Sequence, residues 1–167
     1  MTRMQRLLAN LFGGLFQLRQ RFPAALLDEL ALAVTAGERE HLGEVRVAVE
    51  SRLTVRAVLA GVDARARAQE LFAQLRVWDT EDNCGVLIYL LLSEQHIEIV
   101  ADRGIAGRVA QPQWDAICAV MRDHFAAGRW REGSLAGLEA IHALLRAHFP
   151  AGDRPNPDEL PDRPIVL

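Results

Sequence analysis

Two apolar runs separated by three residues constrain this chain more than any other feature. Val86–Leu92 is apolar almost throughout, as a strand covered on both faces is. His96–Ala101 sets Ile97, Ile99 and Ala101 against Glu98 and Val100. The link Ser93-Glu94-Gln95 is so short that the two runs predict an antiparallel hairpin. Upstream, Glu44–Glu50 directs Val45, Val47 and Val49 one way and Glu44, Arg46 and Glu50 the other. That pattern predicts a half-buried strand near a sheet edge. About 35 residues, including a helix over 63–76 that Asp63 caps, join this strand to Val86, which suits a right-handed parallel crossover.

The remaining periodic segments are helical. Pro23 opens one helix, with Leu26, Leu27, Leu30, Ala33 and Val34 as its apolar stripe, and Gly43 lies where its C-terminal glycine is expected. Another runs from Pro112 to Ala127, stopped by Gly128, with Trp114, Ile117, Cys118, Met121 and Phe125 facing inward. A last one spans Ser134–His148 with Leu135, Leu138, Ile141 and Leu145 inward. The order predicts an α/β fold in which helices cover a small mixed sheet. A length of 167 residues fits one such domain, here residues 23–149. Residues 150–167 hold five of the seven prolines and read as an extended tail, its final Pro-Ile-Val-Leu apolar enough to fold back on the body.

Residues 1–22 carry four arginines and no acid, although the chain's net charge is −3. Leu7, Leu8, Leu11, Phe12, Leu15, Phe16 and Leu18 recur at helical spacing, giving a basic amphipathic helix. Asn10, Gly13, Gly14 and Gln17 interrupt the apolar run and exclude a secretory signal. Two roles stay open for this helix: packing on the domain or a partner, and peripheral contact with an anionic membrane surface. All 19 basic residues are arginine, and no basic excess supports a nucleic-acid partner. Cys84 and Cys118 match no zinc or redox spacing and read as reduced residues of a cytoplasmic protein. The five histidines read as surface or interface residues, and Trp78, Trp114 and Trp130 as packing residues.

Chemistry concentrates at one rim. If the first two strands are parallel and the third returns, Glu44, Asp79, Asp82, Asn83 and Asp102 reach the same end of the sheet, with Asp102 opposite about Val86. Arg103-Gly104-Ile105-Ala106-Gly107-Arg108 leaves from there. Carboxylate and amide oxygens hold Ca²⁺ or Mg²⁺, and arginines hold phosphate. Each residue also has a purely structural use, Asp79 and Thr80 capping turns, Asp102 pairing with an arginine, and the glycines serving backbone geometry. The rim lies at the amino ends of the parallel strands, whereas open α/β sheets usually bind ligands at the carboxyl ends. Glu50, Ser51, Arg52 and Glu94 occupy that favoured end.

The run Val77-Trp-Asp-Thr-Glu-Asp-Asn-Cys-Gly-Val-Leu-Ile-Tyr-Leu90 resembles the turn-and-strand signature of TPM-domain proteins. So do Gly43–Glu50, Val100-Ala-Asp-Arg-Gly-Ile105 followed by Trp114, Gly128-Arg-Trp-Arg-Glu-Gly133, and the tail Asp158-Glu-Leu-Pro-Asp162. The resemblance implies a three-layer α/β/α sandwich with a small mixed sheet. Some members are reported to bind Ca²⁺ or Mg²⁺, which makes Asp82, Asn83 and Asp102 the expected metal ligands, and the rim reading adds Glu44 to them. Cys84 departs from a commonly polar position beside them. Members are often described as phosphatases, so the expected catalytic set is Asp82 and Asp102 on the metal and Arg103 on phosphate. Many bacterial members carry a signal peptide and a membrane helix, and bacterial members are often encoded beside a LemA-type membrane protein. Two functions follow from the resemblance. The first is a soluble binding module with an envelope or stress role and a membrane-associated partner, cytoplasmic or peripheral at the inner membrane. The second is a divalent-metal-dependent acid phosphatase acting on phosphomonoesters.

Overall fold

A computed structural model describes residues 1–13, 15–152, 157 and 159–167. Gly14, residues 153–156 of the Pro-rich tail and Asp158 of its acidic motif lie outside the described residues, as do the side chains of Leu15 and Phe16. The described residues form, in chain order, α1 (Arg3–Phe12), α2 (Leu15–Arg21), α3 (Ala24–Glu38), β1 (Val45–Glu50), α4 (Val55–Leu59), α5 (Ala64–Gln74), β2 (Val86–Leu91), β3 (His96–Ala101), α6 (Arg103–Ala106), α7 (Gln111–Ala126), α8 (Trp130–His148) and β4 (Ile165–Val166).

The sheet order is β3-β2-β1-β4. β1 and β2 are parallel with Val45 beside Val86, and β2 and β3 antiparallel with Val86 beside Ala101. Asp102 therefore leaves β3 beside Gly85, whose carbonyl accepts its N–H at 2.8 Å. Strand counting puts Asp102 opposite about Val86; the observed register sets it one residue further on, at the same end of the sheet as Glu44.

Side-chain alternation divides the interior into two cores. Val45, Val47 and Val49 of β1 and Val86, Ile88 and Leu90 of β2 pack against α3, α7 and α8. Ala48 of β1 and Leu87, Tyr89 and Leu91 of β2 pack on the other face, against Val58 of α4 and Ala64, Ala68 and Leu71 of α5. Both faces of the central strands are thus covered by helices, which makes the fold a three-layer α/β/α sandwich.

Four expectations change. The strand β1 is buried along its whole length, not half-buried at an edge. Arg46 donates to the carbonyls of Pro161 and Arg163, and β4 pairs alongside through Ile165 and Val166. Glu50 is held by Arg67 of α5 at 2.9 and 3.1 Å and by the Tyr89 hydroxyl at 2.7 Å. The folded-back tail and α5 thereby close over the polar side. The amino-terminal segment is two helices, since α1 ends with Gly13 as its cap. His41 and His142 are buried, 0 % and 1 % exposed, not at the surface, and Trp78 is half exposed instead of packed.

The first of these helices, α1, packs on the domain through a buried polar network. Asn10 is buried at 1 % exposure and carries a network of four hydrogen bonds. Its amide nitrogen donates to Glu94 at 2.8 Å, and its oxygen accepts from the Leu53 N–H at 2.7 Å and the Ser93 hydroxyl at 2.8 Å. Arg6 grips the same Glu94 at 2.8 and 3.0 Å. Among the described residues no helix is long and apolar enough to cross a membrane.

Candidate functional site

The rim is built from two chain segments pressed backbone to backbone. The first is the turn before β2. Thr80 accepts the Asn83 N–H on its carbonyl and the Cys84 N–H on its hydroxyl, both at 3.2 Å. Asn83 closes this turn at φ +53°, a left-handed conformation that asparagine adopts at modest cost. Gly85 follows, where a Cβ would stand 1.9 Å from the Val77 carbonyl oxygen. The second segment leaves β3. The Gly104 N–H donates to the Asn83 carbonyl at 2.9 Å, and a Cβ on Gly104 would meet that oxygen at 2.4 Å. Glycine at 85 lets the turn close on Val77, and glycine at 104 is what lets the two segments touch.

This approach sets the start of α6 against the Asp82–Asn83 backbone. Asp102 caps α6, one carboxylate oxygen accepting the Arg103 N–H at 2.7 Å. Its other oxygen is buried and has no hydrogen-bond partner among the described residues. The Arg103 guanidinium donates through Nε to the Asn83 side-chain oxygen at 3.2 Å. Glu44 is fully buried and accepts the Leu160 N–H at 3.0 Å. Asp79, also expected at the rim, is exposed and lies 4.0 Å from Arg76.

Cys84 sits among these acids. Its thiol donates to the Leu42 carbonyl at 3.2 Å. Burial pushes it up to about 12, and the negative charges of Asp82, Glu159, Glu44 and Asp102 push the same way. Four carboxylates from four segments thus act on one sulfur. The thiol stays protonated at neutral pH, so it offers no nucleophile. Glu159 is the member that sequence reasoning missed. It accepts the Glu81 N–H at 3.2 and 3.3 Å and ties the tail to the β2 turn. The signal was present in the Glu159-Leu160-Pro161-Asp162 run, which has no apolar periodicity to place it in space.

A hard cation matches the donor type here: carboxylates, an amide oxygen and backbone carbonyls. The unpartnered oxygen of Asp102 is the atom such an ion would satisfy. Among the described residues, no three His, Cys, Asp or Glu side chains stand ready around one point. A bound ion would therefore take protein oxygens from one side and water from the other.

The comparisons agree with this architecture. The model of the TPM domain matches residues 20–144. That span holds Glu44, Asp82, Asn83, Asp102 and Arg103, and stops before Glu159. Among solved structures, the BA42 protein of the psychrophilic bacterium Bizionia argentinensis superposes with a TM-score of 0.76 at 26 % identity, covering 86 % of this chain and 94 % of that one. No curated protein matches the chain.

Proposed function

This chain belongs to the TPM-domain family, and from that premise we propose that it is a binding module whose Asp82–Asn83 and Asp102 rim takes a divalent cation weakly. The buried, unpartnered oxygen of Asp102 carries the reading. Leaving such an acceptor unsatisfied costs on the order of 1–3 kcal/mol, and a cation removes that cost. Affinity is low, since few protein ligands are assembled in advance and the rest of the shell is water.

One observation favours phosphomonoester hydrolysis as the second reading. The Arg103 guanidinium lies on Asn83, beside the same carboxylates, where it would meet a phosphoryl oxygen. Asp82, Asn83 and Asp102 would then hold the ion, whose chemistry is to polarise the ester and acidify a bound water. Arg103 would bind and orient the phosphoryl group.

Thermal melting with Ca²⁺ or Mg²⁺ separates the two readings when run beside turnover of a chromogenic phosphomonoester. A binding module melts higher with the cation, loses that gain in Asp102→Asn, and shows no turnover. Turnover abolished by both Asp102→Asn and Arg103→Ala transfers the assignment to a phosphatase. No thermal shift and no turnover overturns both.

The envelope association belongs to the same proposal. Its support is the outward face of α1, where Met4, Leu8, Leu11 and Phe12 are 66, 49, 47 and 85 % exposed beside Arg3. This face suits an anionic membrane surface or a membrane-associated partner of the LemA type. Salt-sensitive co-sedimentation with anionic vesicles, lost in Leu8→Ser/Phe12→Ser, supports the membrane contact, and equal sedimentation of that variant removes it.

A further inference from the structure

A cavity of about 480 Å³ opens where β2 turns into β3, at the end of the sheet away from the carboxylate rim. Its volume lies in the range of small-molecule sites, and it occupies the carboxyl end of a parallel strand, where α/β sheets commonly bind ligands. Leu90, Leu92, Ile97, Phe125 and Trp130 give it an apolar wall. The charged lining is basic: Arg21 from α2, Arg122 from α7 and His96 from β3, with no Asp or Glu. His96 shares a hydrogen bond of 2.9 Å with Glu98 just outside, so the two arginines supply the net positive charge.

Arg21 is fixed in place. Its guanidinium lies 4.3 Å above the Trp130 ring. Phe125 stacks on that ring at 4.5 Å, and Phe22 meets it edge-on at 6.0 Å. One guanidinium nitrogen, Nη1, is buried with no hydrogen-bond partner among the described residues. A buried charged donor left without an acceptor is costly and is normally matched. Arg21 itself lines an open cavity whose walls are mostly hydrocarbon, with Gln95, His96 and Arg122 as the other polar side chains.

The geometry points to a binding site for a small amphipathic carboxylate, its apolar body against Leu90, Leu92, Phe125 and Trp130 and its carboxylate on Arg21 and Arg122. The planar guanidinium favours a carboxylate, which it engages through two parallel hydrogen bonds. The apolar body excludes a bare inorganic anion as the preferred occupant. The site is independent of the rim and of the cation proposed there.

Titration of the full chain with decanoate tests this, read by tryptophan fluorescence and by calorimetry. Decanol supplies the body without the charge, and acetate the charge without the body. Saturable decanoate binding is expected, with decanol and acetate each at least about tenfold weaker, and about tenfold weakening in Arg21→Gln, as loss of a charge-assisted hydrogen bond implies. Arg122→Gln weakens it too, and Ala126→Phe, which fills the cavity from an exposed position, abolishes it. The exposed Arg122 and Ala126 carry the test if Arg21→Gln melts early. Equal affinity for decanol, binding unchanged by Arg122→Gln and Ala126→Phe, or no saturable binding overturns the proposal.

Discussion

The two ends of the sheet leave groups of opposite charge without a partner among the described residues. At the rim, acids hold chain segments together, Glu44 on Leu160 and Glu159 on Glu81, while Asp102 caps α6 through the Arg103 N–H. One Asp102 oxygen is left over. At the far end Glu94 does similar work, clamping Arg6 and Asn10 so that α1 closes over the hairpin. There the leftover group is a cation, Arg21, and beside it is open volume. Charge alone marks neither end as a site. The capacity that remains after the fold has used its share does, and whether space adjoins that capacity decides what size of ligand fits.

The rim is also the more tightly closed end, and this gives the largest expected effect. In Gly85→Ala the new Cβ collides with the Val77 backbone carbonyl, which no side-chain rotation relieves. We expect a loss above about 4 kcal/mol, or no folded protein. Gly128 beside the cavity is the control, at φ +75° with nothing within 4 Å of a built Cβ. Gly128→Ala loses only about 1–2 kcal/mol from its left-handed backbone. Urea denaturation of both checks the contrast, and equal losses would break it.

Acid comes next. The Gly43 N–H donates to His41 Nδ1, so His41 Nε2 carries the proton given to His142 Nδ1 at 2.7 Å. Burial lowers both rings from 6.5 to about 4, His142 lowering His41 further. Arg146 also opposes protonation of both rings, while Glu40 and Glu139 favour it at His142. The folded state keeps both neutral where the unfolded chain already binds protons. Stability is therefore full above about pH 6.5, falls as pH drops toward 4, and flattens below, a loss of a few kcal/mol in all. A urea-midpoint series across that range shows the slope, and His142→Gln reduces it.

At the far end, Asn10→Ala leaves the buried Leu53 N–H and the Glu94 carboxylate short of a partner. A loss of about 2 kcal/mol is expected by chemical denaturation. Hydrogen exchange at Leu53 rises selectively. Uniform protection at Leu53 would show that α1 is held by its apolar face instead.

What was legible in the sequence was whatever repeats with a period. The alternation in 45–50 and 96–101 and the three-residue link fixed the register, and the register brought Asp102 beside Gly85 at the end of β2 where the Asp82–Asn83 turn enters. What was missed depends on contacts with no period. Glu159 reaches the rim from a Pro-rich tail. The His41–His142 pair joins residues 101 apart, and Gly37 makes room for the His142 ring, where a Cβ would stand 2.4 Å from it. Arg46 and Glu50 look solvent-facing in the strand pattern, and only the partners Arg67 and Arg163 reveal that they are covered. The α2–α7 cavity is likewise defined by what the helices leave empty, which no residue spacing encodes.

The smallest effect sharpens the comparison most, because its sign is opposite. His96 lies at the cavity end, half exposed, with Glu98 at 2.9 Å. That hydrogen bond raises the His96 pKa above 6.5, burial opposing it. The folded state then holds a proton that the unfolded chain releases first. The stabilising contribution is complete below pH 6.5 and is lost as pH rises through the raised value. Exposure to water keeps it under about 1 kcal/mol. In a His142→Gln background, where the acid-side slope is reduced, stability should decline slightly on the alkaline side of neutrality, and His96→Gln should flatten that decline. A decline that persists in His96→Gln would assign it to another group and separate the proton on His96 from the stability of the cavity end.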